Sequence, residues 1–314
     1  VSGRIDRRTL LAGVSAVSLA ALLPACSSRP VPSVDNLTFA TGPAGATYRE
    51  TGTALAERWN DALARHVVDI VETDAAVDNA ALLTAGSVDL GFVNADVAKP
   101  YVSDFSALFR VFDSVLHLAV MADGPVRTLQ DLPGMRVAVG LPGSGTRFTA
   151  LRLLDSAGLA VTPLSYGQDD AARALLSGEL DAVFSLTAMP TPALDSLVRD
   201  ASAVGRAVEF VDLAVDTEAV RAAYPGEYVG VVISRTVYPD IASSRTLAVP
   251  TFVLVRNEFP RDLARFLTAS TFENARALSM NRPEADQINP RTGAATTPVP
   301  LHPGAADWFR EQKP

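Results

Sequence analysis

Leu37-Thr38-Phe39-Ala40-Thr41-Gly42-Pro43-Ala44-Gly45-Ala46-Thr47-Tyr48 and Arg136-Val137-Ala138-Val139-Gly140-Leu141-Pro142-Gly143-Ser144-Gly145-Thr146-Arg147 share one order. Each begins with a short apolar run that reads as a buried strand. A glycine-rich loop follows, and then a threonine where a helix opens. Outward from the first stretch the pattern continues as a helix through Trp59, a strand from Val67 to Val71, a helix from Asn79 to Ala85 stopped at Gly86, and a strand from Leu90 to Val93. Outward from the second come a helix from Thr146 to Ala157 stopped at Gly158, a helix from Ala171 to Ser177 stopped at Gly178, and a strand from Ala182 to Phe184. Alternating strands and helices predict an α/β fold. Ala81-Leu82-Leu83-Thr84-Ala85-Gly86-Ser87-Val88-Asp89 also echoes Ala174-Leu175-Leu176-Ser177-Gly178-Glu179-Leu180-Asp181. The echo predicts two similar lobes, although a common α/β unit can be reused by chance.

Two further apolar runs, Leu116–Ala122 and Leu247–Val255, read as strands in which the chain crosses between lobes. The expected division is lobe 1 at 37–121 plus 248–314 and lobe 2 at 124–246. Two crossings make a hinge around a central cleft, and hinged lobes close on ligands.

The cleft would be lined by the two glycine-rich loops. A helix N-terminus leaves several N–H groups unpaired and carries about half a positive charge, so it attracts anions. Gly45, Thr47 and Tyr48 on the first loop, and Ser144, Gly145, Thr146 and Arg147 on the second, are candidate ligand-binding residues. Arg147 could pair with a carboxylate, or it could be a solvated helix residue. Asn94 and Ser185 follow the two strands at the ends where ligands sit in open α/β sheets. Asp96, Thr187 and Met189 share that neighbourhood, and a polar loop facing water is an equal reading for Asp96 and Met189. The guest this chemistry suits is a small carboxylate.

The 314 residues suffice for two domains, with 48% hydrophobic and 20% charged. The net charge of −8 argues against a nucleic-acid partner. One Cys and three His leave no disulfide framework and no Cys/His zinc cluster. There is no Gly-x-Ser-x-Gly elbow, no Walker A motif and no complete dinucleotide fingerprint. Neither an enzymatic activity nor a metal or cofactor is called for.

Residues 1–26 read as a signal peptide. Arg4, Arg7 and Arg8 form its basic region, and Leu10–Leu23 is uncharged and too short to span a bilayer. Arg7-Arg8-Thr9-Leu10-Leu11 fits twin-arginine export or the general secretory route. Leu23-Pro24-Ala25-Cys26 resembles a lipobox, with Cys26 as the lipidated residue and 27–36 as a linker. The expectation is an exported body held at the outer face of a membrane by lipid.

With these residues in view, the chain resembles the solute-binding proteins of TRAP transporters, in their TAXI subfamily. The resemblance rests on Leu37–Tyr48, on Leu83-Thr84-Ala85-Gly86-Ser87-Val88-Asp89-Leu90, on Leu129–Gly140 running into Gly143-Ser144-Gly145-Thr146, and on Pro300-Leu301-His302-Pro303-Gly304-Ala305. It implies a type II periplasmic-binding-protein fold and delivery of solute to an ion-gradient-driven membrane permease. It also implies glutamate, glutamine or a dicarboxylate such as 2-oxoglutarate as ligand. By position, Gly45, Thr47 and Tyr48 match its first-loop site, and Ser144, Gly145 and Thr146 its second. Asn94 stands where relatives often carry Gln, and Gly45-Ala46 stands where they carry Gly-Gly. The rival readings are a lobe reporting to a membrane sensor kinase and an enzyme that retains Cys26 internally for a cofactor.

Overall fold

The computed structural model describes residues 31–279 and 283–312, so the expected signal peptide and Cys26 lie outside the described residues. The chain makes two passes of one pattern. The first runs β1 (Leu37–Ala40), α1 (Thr47–Leu63), β2 (Val68–Val71), α2 (Ala76–Thr84), β3 (Leu90–Asn94) and α3 (Ala95–Ala98). The long strand β4 (Phe105–Met121) leads to the second pass: β5 (Val137–Ala138), α4 (Gly145–Ser156), β6 (Pro163–Leu164), α5 (Gln168–Ser177) and β7 (Ala182–Thr187). Then come α6 (Pro192–Ala203), β8 (Val208–Phe210), α7 (Ala214–Ala223), β9 (Val229–Ile233) and a second long strand, β10 (Ser244–Arg256). Helices α8 (Arg261–Glu273), α9 (Ala275–Ser279), α10 (Pro290–Gly293) and α11 (Pro303–Glu311) complete the described chain.

The strands join in the order β2-β1-β3-β10-β4-β7-β5-β6, with β8 added to β4 and β9 to β10. From either outer edge inward the pairing is parallel, parallel, then antiparallel. The strand–helix repeats therefore occupy equivalent places on either side of a central pair. That pair is β10 and β4, antiparallel from Ala248↔Val115 to Arg256↔Phe105. Beyond that register β4 pairs with β7, from Val115↔Thr187 to Val120↔Ala182. In β10, Pro250 has no N–H to give, and the ladder shifts register between Thr251 and Phe252.

The elements form where the side chains demand burial. On the first half, Phe39 lies 5.4 Å from Trp59 and 4.8 Å from Phe92 between ring centroids, and Tyr48 lies 5.1 Å from Phe92. The Trp59 indole donates to Thr271 Oγ1 at 2.9 Å, so its polar edge is satisfied inside the core. A second apolar cluster gathers Leu175, Leu194, Phe210, Tyr238 and Ile241. The Leu-His-Pro-Gly motif has a structural role. His302 caps α11, its Nδ1 accepting from the Gly304 N–H at 3.1 Å, with Pro303 in the first turn. An accepting Nδ1 places the proton on Nε2, which donates to the Phe259 carbonyl at 3.0 Å.

Several expected boundaries move. Helices α2 and α5 begin three residues earlier than the apolar periodicity indicates, and both carry aspartates in the first turn, Asp78 and then Asp169 and Asp170. Strand β4 extends beyond the expected apolar run at its start, through Ser106, Arg110, Asp113 and Ser114, and β10 extends beyond its run at both ends.

Candidate functional site

The N-termini of α1, α4 and α5 converge on one cavity of about 400 Å³. The carboxyl ends of β3 and β7 form part of its wall through Asn94 and Thr187. That is the position at which ligands sit in α/β sheets. Of the residues singled out in the sequence, Gly45, Thr47, Tyr48, Asn94, Ser144, Gly145 and Thr146 all line it.

Each of these residues has a distinct part. Helix α1 begins after Ala46, which has no side-chain oxygen to cap the first-turn amides. Those amides belong to residues of the cavity wall. Helix α4 begins after Ser144, whose Oγ accepts from the Arg147 N–H at 3.2 Å and donates to the Leu141 carbonyl at 2.8 Å. The Ser144 hydroxyl proton is thus spent within the loop. Thr47 and Thr146 differ. Thr47 Oγ1 accepts from Thr187 Oγ1 at 2.8 Å, and Thr146 Oγ1 accepts from the Leu186 N–H at 3.1 Å. Each hydroxyl receives a bond and keeps its own proton to give.

Tyr48 is buried, and its hydroxyl lies 3.4 Å from Thr251 Oγ1. Asn94 Nδ2 donates to the same oxygen at 3.0 Å, and Ser114 Oγ lies 2.9 Å from it. The register shift in β10 sits beside Thr251, the node of this network. Burial pushes the Tyr48 hydroxyl above its ordinary pKa, and the nearby Asp96 carboxylate adds to the effect. Tyr48 is therefore a neutral wall residue. Gly145 faces Asn94 so closely that an added Cβ would collide with the amide oxygen. Its lack of a side chain lets α4 lie against the end of β3. On the neighbouring loop the Gly143 carbonyl accepts from the Val77 N–H at 3.0 Å and the Asp78 N–H at 3.3 Å, so the second glycine-rich loop caps α2 of the first repeat.

Arg147 and Ser185 are not in the lining. Arg147 Nη1 donates to Ser165 Oγ at 3.1 Å, because the residue after Thr146 points about 100° round the helix. Ser185 is buried and pairs in register with His117. Asp96 is fully buried and outside the lining as well.

The lining also contains residues that sequence reasoning missed: Asp74, Tyr166, Gln168, Asp169, Asp170 and Arg173. The aspartates at the start of α5 complement its dipole, so the sequence reads them as ordinary first-turn acids. Among the described lining residues Arg173 is the cation, and it is paired with Asp170. The lining thus combines uncapped helix amides with an excess of carboxylates at the rim. Among the described residues there is no group of three or more His, Cys, Asp or Glu placed to hold a metal ion. No helix of the described residues is long and apolar enough to cross a membrane.

Comparison with solved structures finds similarity at low identity. A putative L-cystine ABC transporter protein from Listeria monocytogenes matches with a TM-score of 0.52 and 15% identity, over 81% of this chain and 98% of that one. The GluR0 ligand-binding core from Nostoc punctiforme, solved with L-glutamate, matches with a TM-score of 0.49 and 17% identity, over 80% and 98%. The periplasmic aliphatic sulphonate binding protein SsuA from Escherichia coli matches with a TM-score of 0.48 and 17% identity, over 90% and 84%. The fold is α/β, of the type II periplasmic-binding-protein class. The model of the NMT1-like family matches residues 39–312, from β1 to the end of α11, and the chain belongs to that family.

Proposed function

We propose that the protein is an extracytoplasmic solute-binding protein that captures a small carboxylate. The observation that carries this reading is the meeting of the α1 and α4 N-termini, one from each strand–helix repeat, on a single cavity. Unpaired amides at Thr47, Tyr48, Gly145 and Thr146, with the free protons of the Thr47 and Thr146 hydroxyls, would hold a carboxylate. The acids Asp74, Asp169 and Asp170 suit a positive group on the same molecule. An amino acid such as glutamate or glutamine therefore fits this lining better than a plain dicarboxylate.

In this reading 37–121 plus 248–314 and 124–246 act as two lobes, with β4 and β10 as the crossings. The antiparallel β4/β10 pair, with a similar strand set on each side, supports it. The solute would be handed to a TRAP-type permease, and Cys26 would carry the lipid that holds the protein at the membrane. The sequence resemblance to the TAXI subfamily supports the permease, and the lipobox supports the lipid. Isothermal calorimetry with L-glutamate, L-glutamine and 2-oxoglutarate tests the ligand. Saturable heat from an amino acid supports the reading, and no heat from any of the three defeats the carboxylate assignment.

A further inference from the structure

Asp96 is a carboxylate that the binding reading leaves unused, yet every group bonded to it is a donor. Its Oδ1 accepts from the Val97 N–H at 2.8 Å. Its Oδ2 accepts from Thr149 Oγ1 at 2.7 Å and from the Tyr228 hydroxyl at 3.0 Å. The Tyr228 oxygen in turn accepts from Arg152 Nη1 at 2.9 Å, and Arg152 also pairs with Glu227 at 2.7 Å. The Arg152 guanidinium lies over the Tyr224 ring at 4.0 Å and the Phe148 ring at 4.6 Å. Asp96 and Thr149 are wholly buried, and Tyr228 nearly so. Burial raises the Asp96 pKa, while the bonds from Thr149 and Tyr228 and the charge of Arg152 oppose that rise.

The placement of this cluster matters more than its charge. Asp96 stands two residues after Asn94, as the second residue of α3. Thr149 and Arg152 stand one and two turns along α4 from Gly145 and Thr146. Asn94 abuts Gly145 at the cavity, and Asp96 grips Thr149 one turn behind it. Tyr228 adds a third element, the segment just before β9. A carboxylate buried without its donors is costly, so these elements separate only when water reaches Asp96.

We infer that Asp96 is a positioning residue: through Thr149 and Tyr228 it fixes the spacing between the β3–α3 wall of the cavity and the α4 wall. This rests on the two-lobe reading above, but its test needs no solute, so the two can fail separately. The full chain carrying Cys26→Ser, Glu57→Cys and Ser202→Cys is labelled with nitroxides on the exposed faces of α1 and α6. The distance between labels is measured by pulsed electron resonance without solute.

The expected result is one narrow distance in this parent. Thr149→Val and Tyr228→Phe, which keep shape and remove a donor, lengthen the distance and broaden it at least about two-fold. Thr149→Ser, which restores the hydroxyl, returns the narrow distance. The inference is overturned if Thr149→Val and Tyr228→Phe keep the parent distance, even with a lower melting temperature, since the cluster would then be buried packing only. A broad distribution already in the parent overturns it equally. Circular dichroism checks that each variant folds, and if Thr149→Val does not, Tyr228→Phe decides alone by the same criteria.

Discussion

Thr187 Oγ1, at the end of β7, donates a 2.8 Å hydrogen bond to Thr47 Oγ1, in the first turn of α1. The two residues lie 140 positions apart, both are buried, and both line the cavity. Two strand–helix repeats that begin as separate stretches of sequence meet at this bond. It also orients the Thr47 hydroxyl so that its remaining proton can face a ligand.

Thr187→Val removes the donor and keeps the shape. The expected loss is about 1 kcal/mol of stability in urea denaturation, the usual net value of such a bond. Solute affinity measured by calorimetry should fall about five- to ten-fold, because the Thr47 hydroxyl is freed to rotate. Unchanged affinity with lowered stability would show that the bond supports the fold alone.

Gly145→Ala places a methyl group against the Asn94 amide oxygen, and that amide is held by Thr251. Either α4 retreats from the end of β3 or the Thr251 network breaks. The expected outcome is at least a ten-fold loss of affinity, about 1.4 kcal/mol. A larger radius of gyration by small-angle scattering should accompany it. Wild-type values of both would contradict the close approach described for this pair.

Asp74, Asp169 and Asp170 are each replaced by Asn in one variant to test the charge of the rim. Removing these carboxylates should raise affinity for 2-oxoglutarate relative to L-glutamate, since both solutes carry two carboxylates and only L-glutamate has an ammonium for these acids to attract. The effect should weaken as salt rises, because the rim is exposed. An unchanged ratio would show that these acids do not select the solute.

His117 supplies a pH dependence. Burial against Phe210 and Tyr238 lowers its pKa from 6.5 to about 4. The folded state thus binds its proton less readily than the unfolded state. Stability is full above about pH 6.5 and falls as the pH drops through 4, by about 3 kcal/mol in all. Asp181 and Asp212, held below the usual carboxylate range by Arg136 and Arg245, add their losses only at more acidic pH. Urea melts of the wild type between pH 7 and pH 4 should show the slope, and His117→Leu should reduce it, leaving the part due to His302, whose pKa burial also lowers. A slope undiminished by the substitution would assign it to another group.

The loops were legible because glycine, serine and threonine between an apolar strand and a helix leave little other reading. Both strand–helix repeats, and six of the nine proposed site residues by position, follow from that pattern, and Asn94 follows from its place at the end of β3. The acids at the start of α5 were not legible, since a first-turn Asp serves a helix dipole whether or not it faces a cavity. The chemistry of Arg147 suits a carboxylate, but its direction is set by helical rotation about a start that the sequence places only within a residue or so. The length of β4 was hidden by Ser106, Arg110, Asp113 and Ser114, polar residues that interrupt the apolar pattern. Ser106 and Ser114 meet Asn257 and Thr251 on distant segments, and Arg110 donates to Asp113 within the strand. Asp96 was visible as a residue, but Thr149 and Tyr228, which give it a role, lie 53 and 132 positions away.

The most direct measurement of the central claim is an amide ¹⁵N–¹H spectrum of the protein titrated with L-glutamate. The amides of Thr47, Tyr48, Gly145 and Thr146 are expected to shift together and saturably, as a carboxylate bonds to both helix N-termini. Shifts confined to one of the two helices, or to residues outside the cavity, would contradict it.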